Sequence, residues 1–115
     1  MTTDSTFIAA ADAALAAIGA AVDAALAGTD NDTDWNLNDG ILEIECADGS
    51  KLIVNRHVPN REIWVAARSG GFHFRAEGGV WRDTRSGGEL AAHLTRLLQE
   101  QAGLAVGLTA LPPPV

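Results

Sequence analysis

The chain is 115 residues long, the size of one domain, which excludes two independent hydrophobic cores. Hydrophobic residues make up 47% of it and charged residues 20%, a globular composition, and its single cysteine excludes both an intramolecular disulfide framework and a cysteine cage for a metal. The net charge of −7 arises in residues 1–50, which hold ten of the 15 acidic residues and no lysine or arginine, so this half excludes a nucleic-acid-binding surface.

The first predicted element is a helix over residues 5–27. Apolar residues recur at steps of three and four between Ile8 and Leu26, the period of a helix with one buried face. Asp12 and Asp23 are three helical turns apart and therefore lie on one flank, at the edge of the apolar stripe.

The same stretch is apolar enough to raise the question of a membrane span. Asp12 and Asp23 would each cost about 2.5–3.5 kcal/mol near the centre of a bilayer, so we expect no membrane association. The start of the chain has neither the basic segment of a secretory signal nor the arginine-rich character of a transit peptide. The expected location is cytoplasmic.

Residues 29–40 are rich in acids and turn formers and are predicted to be a connection without regular structure. From Ile41 onward the apolar period changes to two, which predicts strands. Asp48-Gly49 is a two-residue hairpin signal, and glycine pairs separate the later strands, so the strands form an antiparallel meander. The positions predicted to point inward are Leu42, Ile44, Cys46, Leu52, Val54, Ile63, Val65, Phe72 and Phe74.

A second amphipathic helix is predicted over residues 89–101, with Gly103 as its cap. Because three consecutive prolines follow, we expect residues 104–115 to be a Pro-rich tail, extended or frayed, after a domain of residues 1–103. These elements predict an α+β fold, a two-layer α/β sandwich of one helix, five or six strands and a second helix. Both helices pack on one face of the antiparallel sheet.

The other face of the sheet is predicted to be open to water. By the alternation it carries Glu43, Glu45, Lys51, Asn55, Trp64, His73 and Arg75. An exposed tryptophan on a flat sheet is a candidate contact anchor. A register slipped by one residue would instead place Trp64 in the core, and the alternation alone leaves both arrangements open.

The acidic connection fits a calcium-binding loop only in part. Counted from Asp32, the first and twelfth positions are acidic, but Leu37 occupies the sixth, where the sharp turn needs glycine. What remains is a set of hard oxygen donors suited to magnesium, calcium, manganese or iron, namely Asp12, Asp23, Asp30, Asp32 and Asp34. A solvated acidic face that binds no ion and serves only solubility is the alternative.

No pattern of residues predicts catalysis. The histidines, His57, His73 and His93, lack the spacing of paired metal ligands, and no serine or cysteine lies at a strand-to-helix elbow. We therefore expect a protein that is not an enzyme.

The segment from Asn55 to Val65, Asn-Arg-His-Val-Pro-Asn-Arg-Glu-Ile-Trp-Val, resembles the signature of the frataxin family. The resemblance covers about residues 7–103 and is greatest for the bacterial members. It includes Asp39-Gly40-Ile41-Leu42, Gly70-Gly71-Phe72-His73-Phe74 and Asp83-Thr84-Arg85-Ser86-Gly87.

This resemblance implies an α/β sandwich and a role in iron–sulfur cluster assembly. It implies weak binding of ferrous and ferric iron (Fe2+ and Fe3+), docking of an acidic edge on a cysteine desulfurase, and contact of an exposed Trp64 with the desulfurase and the iron–sulfur scaffold protein. The expected metal-binding residues are Asp12, Asp23, Asp30, Asp32, Asp34, Glu43 and Glu45. The expected partner-binding residues are Asp23, Asp30, Asp32, Asn55, Glu62 and Trp64. We expect a monomer that binds no nucleic acid, with an iron-dependent oligomer as the alternative.

The chain departs from the family pattern in two respects. Gly19, Ala20 and Ala24 stand where several relatives carry acids, which lowers the expected iron capacity or shifts it to residues 30–34. Glu62 stands where the family often has glutamine and adds a negative charge beside Trp64. The alternative functions are an iron oxidase that stores iron and an acidic interaction module without metal.

Overall fold

The structure, a computed structural model, describes residues 4–114. Its strands form one antiparallel sheet in which each strand pairs with the next along the chain. The buried residues of both helices join one core with the inward residues of the sheet, so both helices lie on the same face and the predicted α+β sandwich is confirmed. The elements are α1 (Asp4–Leu26), β1 (Asp34–Asn38), β2 (Ile41–Glu45), β3 (Lys51–His57), β4 (Glu62–Ala67), β5 (Gly70–Glu77), β6 (Val80–Asp83) and α2 (Leu90–Ala102).

The core lies between the helices and the predicted inward residues of the strands. Leu42, Ile44, Leu52, Val54 and Ile63 are completely buried, which confirms the alternation. The full burial of these five side chains fixes the register, because a slip by one residue would turn all of them to water.

Strand β1 was not predicted. The expectation of a connection without regular structure over residues 29–40 is wrong for its second half. Only Trp35 and Leu37 supply the apolar alternation in β1, and the positions between them hold Asp34, Asn36 and Asn38. These polar residues hide the strand in the sequence, and they are tolerated because an edge strand pairs on one side only.

Helix α1 passes the length and composition criteria for a membrane span, with a mean hydropathy of 1.7 over its most apolar window. The core helix of a soluble protein meets the same criteria, and 44% of this window is buried in the structure. The apolar residues of α1, among them Leu15, Ile18 and Val22, are in the core that the helix shares with the sheet.

The C-terminal tail is extended, one of the two predicted alternatives, and it takes part in the core. Leu104, Val106 and Leu108 are between 3% and 8% exposed, whereas Ala105 and Gly107 between them face water. Two hydrogen bonds join the tail to α2, from the Leu104 amide to the Leu98 carbonyl at 3.2 Å and from the Thr95 hydroxyl to the Leu108 carbonyl at 3.1 Å. The tail therefore completes the helical layer, while the domain boundary after residue 103 stays a prediction.

Candidate docking face and acidic edge

A row of side chains crosses the open face of the sheet, the face that points away from the helices. Its members lie directly opposite one another in the strand register and are Asn38, Ile41, Asn55, Trp64 and His73. Ile63 and Val65, the neighbours of Trp64 in β4, are buried beneath the helices. The indole is therefore on the open face and is partly exposed, as predicted.

Two imidazole rings stack on the indole of Trp64, one on each face. The ring centroid of His57 lies 3.6 Å from that of Trp64, with the planes 10° apart, and the His73 centroid lies 4.3 Å away at 7°. We call these three residues the aromatic slab. Because both π faces of the indole are covered, the slab presents the edges of its rings to a partner.

Glu62 lies beneath the aromatic slab. Its Oε1 accepts a hydrogen bond of 2.9 Å from Trp64 Nε1, and its Oε2 accepts one of 2.6 Å from Arg75 Nη2. Burial acts to raise the pKa of Glu62, but the hydrogen bonds from Trp64 and Arg75 and the positive charge of Arg75 outweigh it, so the pKa is lowered. Glu62 does lie beside the indole, but it is only 3% exposed and offers little surface to a partner.

Apolar and amide side chains surround the aromatic slab. Ile41 is 48% exposed, the most exposed large hydrophobic residue on the sheet, and Ile53 and Asn55 in β3 are partly buried. The Asn55 amide donates a hydrogen bond of 3.2 Å to the Arg56 carbonyl, which holds the side chain against the strand. An exposed apolar strip with a tryptophan at its centre is typical of a protein contact surface. We call this strip and the slab the docking face.

The acidic residues at the β1 side of the molecule form an exposed acidic edge, which comprises Asp23, Asp30, Asp32, Asp34 and Glu45. Asp34 and Glu45 lie directly opposite each other in the register of β1 and β2. Like charges in this position repel each other, which favours a cation or a basic group beside them. Asp23 Oδ1 also accepts a hydrogen bond of 2.8 Å from Trp35 Nε1, which ties the end of α1 to β1.

Two of the expected metal-binding residues, Asp12 and Glu43, are instead paired with cations. Arg56 Nη1 lies 2.5 Å from Asp12 Oδ1, and Lys51 Nζ lies 2.7 Å from Glu43 Oε1. Asp12 is also about 16 Å along the helix from Asp23, too far for the two to share an ion.

Nowhere in residues 4–114 do three or more His, Cys, Asp or Glu side chains come together as a group that could hold a metal ion. The donor set of the acidic edge therefore fits loose binding by one or two carboxylates and does not fit a preformed metal cage.

Sequence reasoning missed two participants in this site. His57, considered from the sequence only as a possible metal ligand, is the last residue of β3 and pairs with Glu62 in the register. Arg56 was noted only as part of the signature segment. For His57 a signal was available, since placing Asn55 opposite Trp64 sets His57 diagonally beside the indole.

Comparisons with known proteins agree with this architecture. A family model described as a frataxin-like domain matches residues 1–104. The protein called iron-sulfur cluster assembly protein CyaY in Dechloromonas aromatica is 56% identical over 106 residues, which cover 91% of this chain and 97% of the relative. Its namesake in Cupriavidus metallidurans is 47% identical over 105 residues, which cover 91% and 95%.

Solved structures show the same likeness. Frataxin from Psychromonas ingrahamii superposes with a TM-score of 0.77 at 29% identity, covering 95% of this chain and all of that one. Yeast frataxin superposes with a TM-score of 0.69 at 25% identity, and the match covers 82% of this chain and 78% of the yeast chain.

Proposed function

Because the chain belongs to the frataxin family and is of the bacterial CyaY type, we propose that it acts in iron–sulfur cluster assembly as a non-catalytic, iron-binding adaptor in the cytoplasm. The acidic edge docks on a basic surface of a cysteine desulfurase, and the docking face meets the desulfurase and its scaffold protein. The observation that carries this proposal is that Asp34 and Glu45 lie on the same face of the sheet as Trp64.

The charge distribution supports docking on a basic partner. Asp30 and Asp32 are exposed, and among the described residues neither has a basic side chain within 4.0 Å. Unpaired exposed carboxylates attract an opposite charge over a distance that salt shortens. Association with the desulfurase should therefore be fast at low ionic strength and weaken as salt is added.

Iron is the cargo or the signal in this proposal and not a resident cofactor. Carboxylate oxygens are hard donors that suit ferrous and ferric iron. Their exposure and loose arrangement at the acidic edge favour weak binding that a partner can reverse. The ligands would come from Asp30, Asp32 and Asp34, since the Asp12 carboxylate already forms an ion pair with Arg56.

Charge reversal at the acidic edge tests the proposed function. The triple variant Asp23→Lys, Asp30→Lys and Asp32→Lys should weaken binding to the cysteine desulfurase at least about a hundredfold, because like charges then face each other across the interface. The affinity is measured by calorimetry at low and high salt. The wild-type affinity should fall with salt, and the affinity of the triple variant should not.

The matched control reverses three exposed acids elsewhere, Glu77→Lys, Glu89→Lys and Glu100→Lys, with the same change in net charge. We expect this control to bind the desulfurase within about threefold of wild type. Its three substitutions lie away from the acidic edge and act on the partner only through the net charge, at a distance that salt screens. Equal losses in both triple variants would mean that only net charge matters. Wild-type affinity in the acidic-edge variant would show that this edge is not the docking surface.

A further inference from the structure

The docking face contains a feature that an exposed anchor does not require, a buried carboxylate beneath the indole. Glu62 is 3% exposed, although it lies on the face of the sheet that is open to water. Burying a carboxylate is unfavourable unless hydrogen-bond donors satisfy its oxygens.

Each oxygen of the Glu62 carboxylate has its own donor. Oε1 accepts from Trp64 Nε1 at 2.9 Å, and Oε2 accepts from Arg75 Nη2 at 2.6 Å. His73 Nδ1 lies 3.7 Å from the oxygen that the indole uses. The carboxylate thus joins the indole, a guanidinium and one imidazole of the aromatic slab.

We propose that Glu62 is a positioning residue, which holds the indole of Trp64 in the orientation that the desulfurase–scaffold assembly meets. This inference rests on the proposed function. The hydrogen bond to Oε1 prevents the indole from turning in its plane, and the imidazoles of His57 and His73 prevent it from tilting. Docking then avoids the entropic cost of ordering a large side chain.

The clamped orientation also defines what the partner can touch. Because imidazoles cover both π faces of Trp64, no partner ring can stack on the indole. The partner meets the ring edges, which carry the positive part of the aromatic quadrupole. The surface of the partner opposite the slab should therefore present carbonyl or carboxylate oxygens.

Two variants at one position test the positioning role. Glu62→Met keeps the volume of the side chain and removes both acceptors, whereas Glu62→Gln keeps one oxygen for the indole N–H. NMR follows hydrogen exchange of Trp64 Nε1–H and the ring-current shifts of the His57 and His73 imidazoles. We expect exchange to accelerate at least about tenfold and the shifts to change in Glu62→Met. Exchange in Glu62→Gln should stay near the wild-type rate.

The two variants should also differ in their affinity for the desulfurase–scaffold assembly. Glu62→Met should bind the desulfurase–scaffold assembly about three- to tenfold more weakly, and Glu62→Gln within about twofold of wild type. Glu77→Gln, an exposed control on the same sheet, should change neither readout. An indole whose exchange stays slow in Glu62→Met, or a freed indole with unchanged affinity, would overturn the inference.

Two further variants keep the test decisive. If Glu62→Met does not fold, His73→Ala removes a side chain that is 44% exposed and opens one face of the indole. A loss of affinity of the same size is then expected, and unchanged affinity would overturn the positioning role. Trp64→Ala separates the two proposals. Binding at wild-type strength would refute the docking face itself, whereas loss of binding in Trp64→Ala without any loss in Glu62→Met would refute only the role of Glu62.

Discussion

Replacing Leu104 and Leu108 together by alanine should lower the free energy of unfolding by about 4–8 kcal/mol. Both side chains are less than 9% exposed and pack in the core, although they lie beyond the last helix. Each truncation removes apolar contacts and leaves a cavity that the surrounding core closes only in part. A loss of this size is comparable to the whole stability of a small domain.

Urea unfolding followed by circular dichroism measures this loss. The control is the double variant Ala105→Ser and Thr109→Ser at exposed positions that alternate with the buried ones, and it should stay within about 0.5 kcal/mol of wild type. Equal stability of the leucine variant and this control would show that the tail is not part of the core in solution.

Adding an acid at position 19 should destabilise the protein, whereas adding one at position 20 should not. A Cβ atom on Gly19 would lie 2.8–3.0 Å from three ring atoms of Trp35, closer than real Cβ contacts. Gly19→Glu must therefore push Trp35 off the helix and break its hydrogen bond to Asp23. After allowing for the better helix propensity of glutamate, we expect a loss of about 2–4 kcal/mol.

Ala20→Glu is the matched control, because it adds the same charge one residue away at an exposed position. Its stability should stay within about 0.5 kcal/mol of wild type. Chemical denaturation gives both free energies, and the NMR signal of the Trp35 indole N–H reports the displacement directly. A Gly19→Glu variant as stable as Ala20→Glu would contradict the packing of β1 on α1.

Such packing accounts for the absence of an acid at position 19, but nothing in the structure accounts for the alanines at 20 and 24.

The fold could be predicted from the sequence wherever burial imposes a period. Leu42, Ile44, Leu52 and Val54 alternate because one side of each strand is covered by helices. The alternation alone left the orientation of Trp64 open, and the burial of its neighbours Ile63 and Val65 shows that it faces outward. Strand β1 could not be predicted in the same way, since it lies at the edge of the sheet and Trp35 and Leu37 are its only apolar residues.

The candidate site was harder to predict from the sequence than the fold, because its contacts join segments that are distant along the chain. Asp12 was expected to be free for iron, but Arg56 in β3 reaches it only because the first helix crosses that strand. The stacking of His57 on Trp64 depends on β3 extending to its last paired residue, so it follows from the pairing of Asn55 with Trp64 and not from the sequence of β3 alone. Composition predicts an acidic edge, whereas charge pairing, which depends on the tertiary structure, decides which carboxylates remain free.

Docking of the desulfurase on the acidic edge and the docking face is tested by a map of the surface that the desulfurase covers. Isotope-labelled protein is titrated with unlabelled desulfurase, and the loss of NMR signal intensity is followed for each residue. We expect losses confined to residues 23–45 and to the docking face, including the Trp64 indole, with α2 unaffected. Losses concentrated on α2 and the C-terminal tail, with Trp64 and the acidic edge unchanged, would contradict it.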